Sequence, residues 1–570
     1  VSTFAPVLRY PATDRLPGER SAASASRHGL RLTLWSVAIV VLVHWFLLTA
    51  GHLVVWPQYT ARTDLLSRAF ARGQLHLLIK PDPRLSQLPD PYDPVANAAY
   101  RYRPGVPDSC LYDGRLYLYW GPAPALMMVP VRLVVGPDVM IGDHYPAFAF
   151  SIGLIAATAA LLTRACRRHF PAAPAWLPAA GVLVAGFSTP ITCMMTRAAV
   201  YEVAILGGQC FLLWGIYCAW RGSDSPQSAG RASRSLMLVL AGSCLALAVG
   251  CRVSLAIAVG VVSLLTTARL LWQQSAEQTF RGRVVRALLP VALMALPLFA
   301  GALAMGWYNH ARFGHWAEFG QKYQLAGANL RSYPSLFSVQ NIAPGLWSYF
   351  LRPVATVDRF PYLLPVTGDG SFPDFIPRLP HYETYEAITG LVWVFPLLWI
   401  VPALALGLVK QTWRSRKAAA PSAGDSADTA QPADITWLQW AILSAGVLGF
   451  APVLMMIGST QRYLADLTPP LAVAATLWFA TKMARPAPID DLADDLNDEL
   501  PRRGRDPRRL AGAVFVSLGL MTIGIGLLVC VEGYSAHFRM NNRPLFDQLC
   551  PQGIGVAAPA DQHPTAQSSS

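Results

Sequence analysis

The chain has 570 residues, 53% of them hydrophobic and only 14% charged, with a formal net charge of +13. Soluble globular domains carry roughly 25% charged residues, so a chain wholly surfaced by water is excluded. Nucleic-acid binding is not expected either, because Arg and Lys fall in short clusters between apolar runs, where membrane orientation signals belong. The expected class is an all-α polytopic membrane protein with about 11 spanning helices of roughly 20 apolar residues each.

In chain order, residues 1–31 read as a polar, Arg-rich cytoplasmic tail, and residues 32–55 as the first spanning helix, closed by Trp56. This first apolar run is too long for a signal-peptide core and lacks a small-residue cleavage site, so no cleavable signal is expected. Residues 56–142 form a first long loop, which opens on an amphipathic segment. Leu65, Leu66, Ala69 and Phe70 oppose Arg62, Arg68 and Arg72 there, a pattern suited to a helix on a membrane surface. Residues 116–136 are apolar but hold Pro122, Pro124, Pro130 and Arg132. Because Pro breaks helices, they read as re-entrant or interfacial rather than as a crossing.

Six spans are expected within 143–307, a second long loop at 308–385, four more spans within 386–531, and a tail at 532–570. Basic clusters follow alternate runs, at Arg164–Arg168, Arg221–Arg234, Arg281–Arg286, Lys410–Lys417 and Lys482–Arg509. The positive-inside rule puts all of them on the cytoplasmic side. The N-terminus is then cytoplasmic, the C-terminus outside, and both long loops outside. Residues 411–436 and 484–509 read as solvated linkers, and the tail from 552 as disordered. The nine Cys show no metal spacing. Cys110, Cys251 and Cys550 fall on the outer side, with no pairing assignable.

Ionisable residues gather at the outer ends of the spans, where they are functional candidates. Asp64, Asp108 and Asp113 in the first long loop are candidate catalytic or metal-binding carboxylates; the competing reading is that each initiates a turn or caps a helix. Arg197 and Glu202, in TRAAVYE, sit where a helix restarts; they are a base or ligand with its partner, or a self-neutralising pair. Arg252 interrupts a long apolar stretch at a tight outer turn and suits phosphate recognition; otherwise it snorkels. Arg312, His315 and Lys322 in one string, and Arg462 with Asp466 in another, complete the set. Arg462 and Asp466, four apart, also suit a local pair. No ligand set has convincing metal spacing, so a metal requirement is left open, a divalent ion being compatible.

The arrangement resembles the GT-C superfamily of membrane glycosyltransferases, such as protein O-mannosyltransferases and aminoarabinose transferases. ARTDLLSRAFARGQL looks like their first surface helix, YLYWGPAPAL like their Pro/aromatic string, and TRAAVYE like the segment bearing a second acid. GCRVSLA sits where they often carry a basic residue. The likeness runs in order over residues 32–330, and more weakly to 470. One departure is plain: Gln58 and Tyr59 stand where such enzymes carry acids just after the first helix.

The resemblance implies inverting transfer of a sugar from a polyprenyl-phosphate donor to a glycan, lipid or protein acceptor outside the cytoplasm, in a bacterial inner membrane. It implies Asp108 or Asp64 as general base and Glu202 as acidic support or metal ligand. Arg197, Arg252 and Arg462 hold the donor phosphate. Asp113, Arg312 and Lys322 are further substrate-binding candidates. Two other readings stand beside it. A flippase of lipid-linked glycans needs polar residues through the midplane, and a non-catalytic assembly protein needs Asp108, Glu202 and Arg252 scattered.

Overall fold

A computed structural model of the chain describes residues 17–101, 108–136, 139–224, 230–272, 279–332, 336–366, 372–376, 379, 382–418, 430–484, 506–533 and 536–551. Residues 419–429 and 485–505 of the two expected linkers, and the tail from 552, lie outside the described residues.

The apolar runs become helices. They are α1 (Pro17–Leu48), α2 (Arg62–Ala71), α3 (Ala123–Val135), α4 (His144–His169), α5 (Leu177–Gly186), α6 (Thr189–Thr196), α7 (Val200–Gly222), α8 (Arg231–Cys251), α9 (Ala256–Trp272) and α10 (Phe280–Phe313). The second half adds α11 (Val401–Ala418), α12 (Ala430–Leu454), α13 (Thr468–Met483), α14 (Pro507–Glu532), α15 (His537–Asn541) and α16 (Arg543–Leu549). Among the described residues, 9 helices are long and apolar enough to cross a membrane. The pair α5 and α6, bent by 50° at a short break, makes a further candidate. The 16-residue α13 lies in the middle of the bundle with nearly every residue buried. The chain is a helical, multi-pass membrane protein.

Boundaries differ from the sequence reading in several places. The segment 411–436, expected as a solvated linker, is helical at both ends, since α11 runs to Ala418 and α12 starts at Ala430 and buries Asp434, Ile435 and Thr436. α1 starts at Pro17, inside the expected tail, and stops at Leu48 rather than near Trp56. Ala50, Gly51 and Leu53 all take positive φ there, and the Thr49 hydroxyl donates back to the Trp45 carbonyl, so the chain turns out of the helix. α10 runs on to Phe313, so the second long loop opens on Gly314, whose left-handed conformation (φ 71°) ends the helix. Residues 116–136 split into a strand and the 13-residue α3, a helix about 20 Å long.

The first long loop is a small structure in its own right. Strands β1 (Cys110–Tyr112) and β2 (Arg115–Tyr117) pair antiparallel around Asp113 and Gly114. Both take positive φ, as a two-residue type I′ turn requires. Asp113 is therefore an exposed turn residue. Leu66, Leu77, Leu85, Leu111, Leu116 and Leu325 form an apolar core beneath the hairpin. α2 is not a helix resting on lipid with a solvated polar face: Arg62, Asp64 and Ser67 are buried along with Leu66 and Ala69. The string after β2 crosses close over the tip of α8. A Cβ on Gly121 would stand 2.0 Å from the Gly250 carbonyl oxygen, so only Gly fits there.

In the second half, β3 (Glu383–Thr384) pairs in parallel with β4 (Gly458–Ser459), which follows α12. This short ladder stitches the second long loop to the segment before α13. The Gln461 side chain adds to it by accepting from the Thr389 amide at 2.8 Å.

Candidate functional site

At the end of the bundle that carries both long loops, four guanidiniums and several carboxylates gather, and Arg62, Arg252 and Arg462 lie over aromatic rings. Each is set in place by a local feature of the backbone. Arg252 lies in extended conformation between the end of α8 and a 3₁₀ turn leading into α9. Its Nε and Nη2 reach Asp466 Oδ2 at 2.8 and 2.7 Å. Asp466 is fully buried, and Gln209 also donates to it at 3.3 Å. Burial pushes the Asp466 carboxyl up, while Arg252 and Gln209 pull it down.

Arg462 stands on the 3₁₀ segment Gln461–Asp466 that the β3–β4 ladder fixes. Its Nη1 pairs closely with Glu386 Oε1 and lies 3.9 Å from Glu202 Oε1. Arg197 Nη1 meets the same Glu386 oxygen at 3.0 Å. Glu202, at the third position of α7, accepts the Ala199 amide at 3.1 Å, so it also caps its own helix.

Asp108 has positive φ (60°) and keeps 35% of its side chain exposed, the most open of the carboxylates here. The Tyr201 hydroxyl donates to its Oδ2 at 3.2 Å, and Tyr201 in turn accepts from Tyr119 at 3.0 Å. Burial holds the Tyr119 phenol well above its usual range, so it remains a proton donor in this chain of hydroxyls. Arg62 Nη1 lies 3.8 Å from the same Asp108 oxygen.

Aromatic faces connect these groups into one ladder. Arg252 lies over Tyr463 at 4.8 Å, and Arg462 over Tyr463 at 5.7 Å and Tyr201 at 4.3 Å. Tyr201 meets Trp120 edge to face at 5.0 Å, and Arg62 lies over Trp120 at 5.2 Å. Guanidinium–ring contacts of this kind contribute about 0.5–2 kcal/mol each and fix the cation's orientation. Asp108, Glu202, Arg197, Arg252 and Arg462 thus belong to one continuous cluster.

The other candidates go elsewhere. Asp64 is fully buried and pairs with Arg132, closely, and with Arg68 at 2.9 Å. It ties α2 to the end of α3, which leaves it no open side for a substrate. Arg312 donates to the Leu118 carbonyl at 2.6 Å and to Asn309 at 2.8 Å, clasping the hairpin string to α10. Lys322 is half exposed and pairs with Glu318 at 2.7 Å, four residues back. His315 is exposed and receives the Ala317 amide. All nine cysteines are free thiols. Among the described residues, no three His, Cys, Asp or Glu side chains gather as a metal-ligand set.

Tyr59, at the place where an acid was expected, is half-buried. Its hydroxyl donates to the Thr196 carbonyl at 3.1 Å and accepts from Asn541. Burial pushes this phenol up to about 12, so it stays neutral and does not replace a carboxylate as base. The adjoining turn is held by another acid, the fully buried Asp143. Asp143 accepts the Arg62 and Thr63 amides at 2.9 and 3.0 Å and the Thr60 hydroxyl. It thereby caps α2 from outside that helix.

Sequence reasoning missed Arg62, Tyr201, Tyr463, Glu386 and Asp143. Only Glu386 carried a signal, since it opens an apolar run as Glu202 does. The amphipathic pattern puts Arg62 on the polar side of a membrane-surface helix, not in a buried cluster.

No family model matches the chain, and no curated protein matches it by sequence. Among solved structures, it is similar to the oligosaccharyltransferase AglB from Archaeoglobus fulgidus, in complex with an inhibitory peptide and a dolichol-phosphate. The identity is 11% and the TM-score 0.43, over 88% of this chain and 56% of that one. It is also similar to ArnT from Cupriavidus metallidurans bound to undecaprenyl phosphate. There the identity is 12% and the TM-score 0.36, over 90% of this chain and 77% of that one. The chain spans little more than half the length of the AglB structures it matches, 56% in the inhibited complex.

Proposed function

We propose that this chain is a GT-C-type membrane glycosyltransferase. It moves a sugar from a polyprenyl-phosphate donor to a glycan, lipid or protein acceptor at the end of the bundle that carries the long loops. One observation carries this reading: Asp108, the most open carboxylate of the cluster, lies in one network with Glu202, Arg197, Arg252 and Arg462. A scaffold has no need of that convergence.

In the proposed reaction an acceptor hydroxyl attacks the anomeric carbon while the bond from that carbon to the phosphate oxygen breaks. Asp108 takes the hydroxyl proton, and polyprenyl phosphate leaves with the bonding electrons. Attack opposite the leaving group inverts the anomeric centre. Tyr201 engages Oδ2 of Asp108 at 3.2 Å, so Oδ1 is the oxygen assigned to the proton. Positioned general bases contribute about 10²–10⁴-fold. Arg197, Arg252 and Arg462, each seated on a carboxylate, surround the site with fixed positive charge for the leaving phosphate. Glu202 supports the site by holding the start of α7 and facing Arg462. The same reading puts the N-terminus in the cytoplasm, the long loops and C-terminus in the periplasm, and the chain in a bacterial inner membrane.

The test is transfer by purified protein from a panel of polyprenyl-phosphate sugars, with Asp108→Asn, Glu202→Gln and Asp64→Asn alongside. Asp108→Asn is expected to fall by about 10²-fold or more. Asp64→Asn is expected to act through stability alone. Full activity in Asp108→Asn removes the assigned base.

A further inference from the structure

The end of the bundle away from the long loops gathers a second group of cations, and three close helix contacts set their level. A Cβ on Gly242 would stand 2.1 Å from the Met294 carbonyl oxygen, and one on Gly301 would meet the Ala246 Cβ at 2.8 Å. Helices α8 and α10 therefore run side by side in the same direction. A Cβ on Gly222 would stand 2.7 Å from the Leu238 Cγ, which sets the end of α7 beside the first turns of α8. The Arg234 Nε reaches the Gly222 carbonyl there at 3.4 Å. This register brings Arg231 and Arg234 level with Arg281, Arg283 and Arg286, and Arg221 beside them. Among the described residues, none of these guanidiniums forms an ion pair with a carboxylate. Asp224, the acid next to Arg221 in the chain, is taken by Arg164 and Arg168. The half-buried Arg283 also leaves its Nε without a hydrogen-bond partner. Membrane orientation needs cations near span ends, but not their alignment on adjacent helices with no acid among them. Like charges so placed repel, so the patch calls for an external anion.

Next to these arginines, toward the middle of the spans, the same two helices are apolar and uncovered. Leu236 and Leu240 on α8 and Val285, Leu288 and Leu289 on α10 are exposed. Only 6% of the apolar window of α10 is buried, so bilayer lipid covers most of that helix. We infer that the α8–α10 edge binds an anionic phospholipid. Its headgroup phosphate sits among Arg231, Arg234, Arg281, Arg283 and Arg286, with Arg221 at the margin, and its acyl chains lie along the apolar faces of α8 and α10. Guanidiniums suit that headgroup because each offers forked donors to phosphate oxygens. Charge complementarity selects the lipid class, since a zwitterionic headgroup would bring a further cation into the patch. The apolar stripe selects a lipid over a soluble anion, which has no chain to lay on it. The site is at the opposite end of the bundle from Asp108 and does not depend on the proposed transfer.

The experiment measures binding to the purified full chain in a neutral detergent, with dioleoyl phosphatidylglycerol, dioleoyl phosphatidylcholine and inorganic phosphate as probes. Phosphatidylglycerol should bind about 10-fold or more tighter than phosphatidylcholine. Each basic residue near an anionic headgroup contributes about fivefold in affinity. The double variant Arg281→Gln/Arg286→Gln, at two exposed positions, should therefore weaken phosphatidylglycerol binding about 25-fold. Adding Arg283→Gln should bring the loss to about 10²-fold. Arg281→Lys/Arg286→Lys keeps the charge and should keep most of the affinity. Arg27→Gln/Arg31→Gln, exposed at the same end on α1, should change binding by less than about threefold. If the triple variant does not fold, the double variant decides. Double-variant binding within about twofold of wild type overturns the site. Phosphatidylcholine binding as tightly as phosphatidylglycerol overturns it too, because charge is then not recognised. Inorganic phosphate binding as tightly as the lipid overturns the acyl-chain half. A loss in the α1 pair equal to that in the α10 pair also overturns it, since the lipid then senses total charge rather than this edge.

Discussion

The two ends of the bundle both bury charge, and they do it differently. At the end away from the long loops, Asp224 and Asp434 are buried and each is held by more than one cation. Asp224 pairs with Arg164 and, at 2.9 Å, with Arg168. Asp434 pairs with Arg269, with His169 at 2.9 Å and with Arg168 at 3.4 Å, and accepts the Trp220 indole at 3.0 Å. These residues come from the ends of α4, α7, α9 and α12, so the network ties four spans together. Neither carboxylate has an open side: the side chains are 2% and 7% exposed. At the long-loop end, by contrast, Asp108 is held by one phenol and one distant guanidinium and remains a third exposed. A closed, buried network of ion pairs ties a fold together, whereas one open carboxylate beside fixed cations is set up for proton transfer.

This contrast is open to attack by substitution, beginning where the largest loss of stability is expected. Asp434→Ala leaves Arg269, His169 and the Trp220 indole without their shared acceptor. Breaking a buried pair from one side costs about 3–5 kcal/mol, so thermal unfolding in detergent should shift down strongly. An unchanged transition would mean that this network is not a latch. Gly121→Val drives a side chain into the Gly250 carbonyl and should cost about 1–3 kcal/mol. It should also abolish transfer by lifting Tyr119 and Trp120 off the cluster; retained activity would deny that this crossing sets the site.

Tyr201→Phe removes one hydroxyl between Tyr119 and Asp108. A stability loss of about 0.5–1.5 kcal/mol is expected, with a fall in kcat and little change in KM. Equal effects on both constants would argue against a positioning role. Asp113→Asn alters only the exposed hairpin turn and should stay within about 0.5 kcal/mol of wild type, with full transfer. Lost activity there would return Asp113 to the site.

Much of this was legible in the sequence because hydrophobic length is a local property. The apolar runs gave the spans, and Arg252 marked the α8–α9 break by interrupting one. TRAAVYE marked the start of α7. The pairings were not legible, because they join distant segments: Arg252 to Asp466, Arg462 to Glu386, Tyr201 to Asp108. Nothing in the spacing of Asp64, Asp108 and Asp113 tells a helix-tying acid from an open one or from a turn residue. That distinction lies in burial and φ. The same blindness put Arg62 on a solvated face, since helical periodicity shows which residues share a side but not what covers it.

The central claim is that Asp108 takes the acceptor's proton. Its most direct test is transfer from polyprenyl-phosphate sugars by Asp108→Asn, with unfolding and farnesyl phosphate binding measured on the same preparation. The account predicts transfer reduced by about 10²-fold or more, with stability and binding close to wild type. Undiminished transfer, or a loss that follows unfolding step for step, would contradict it.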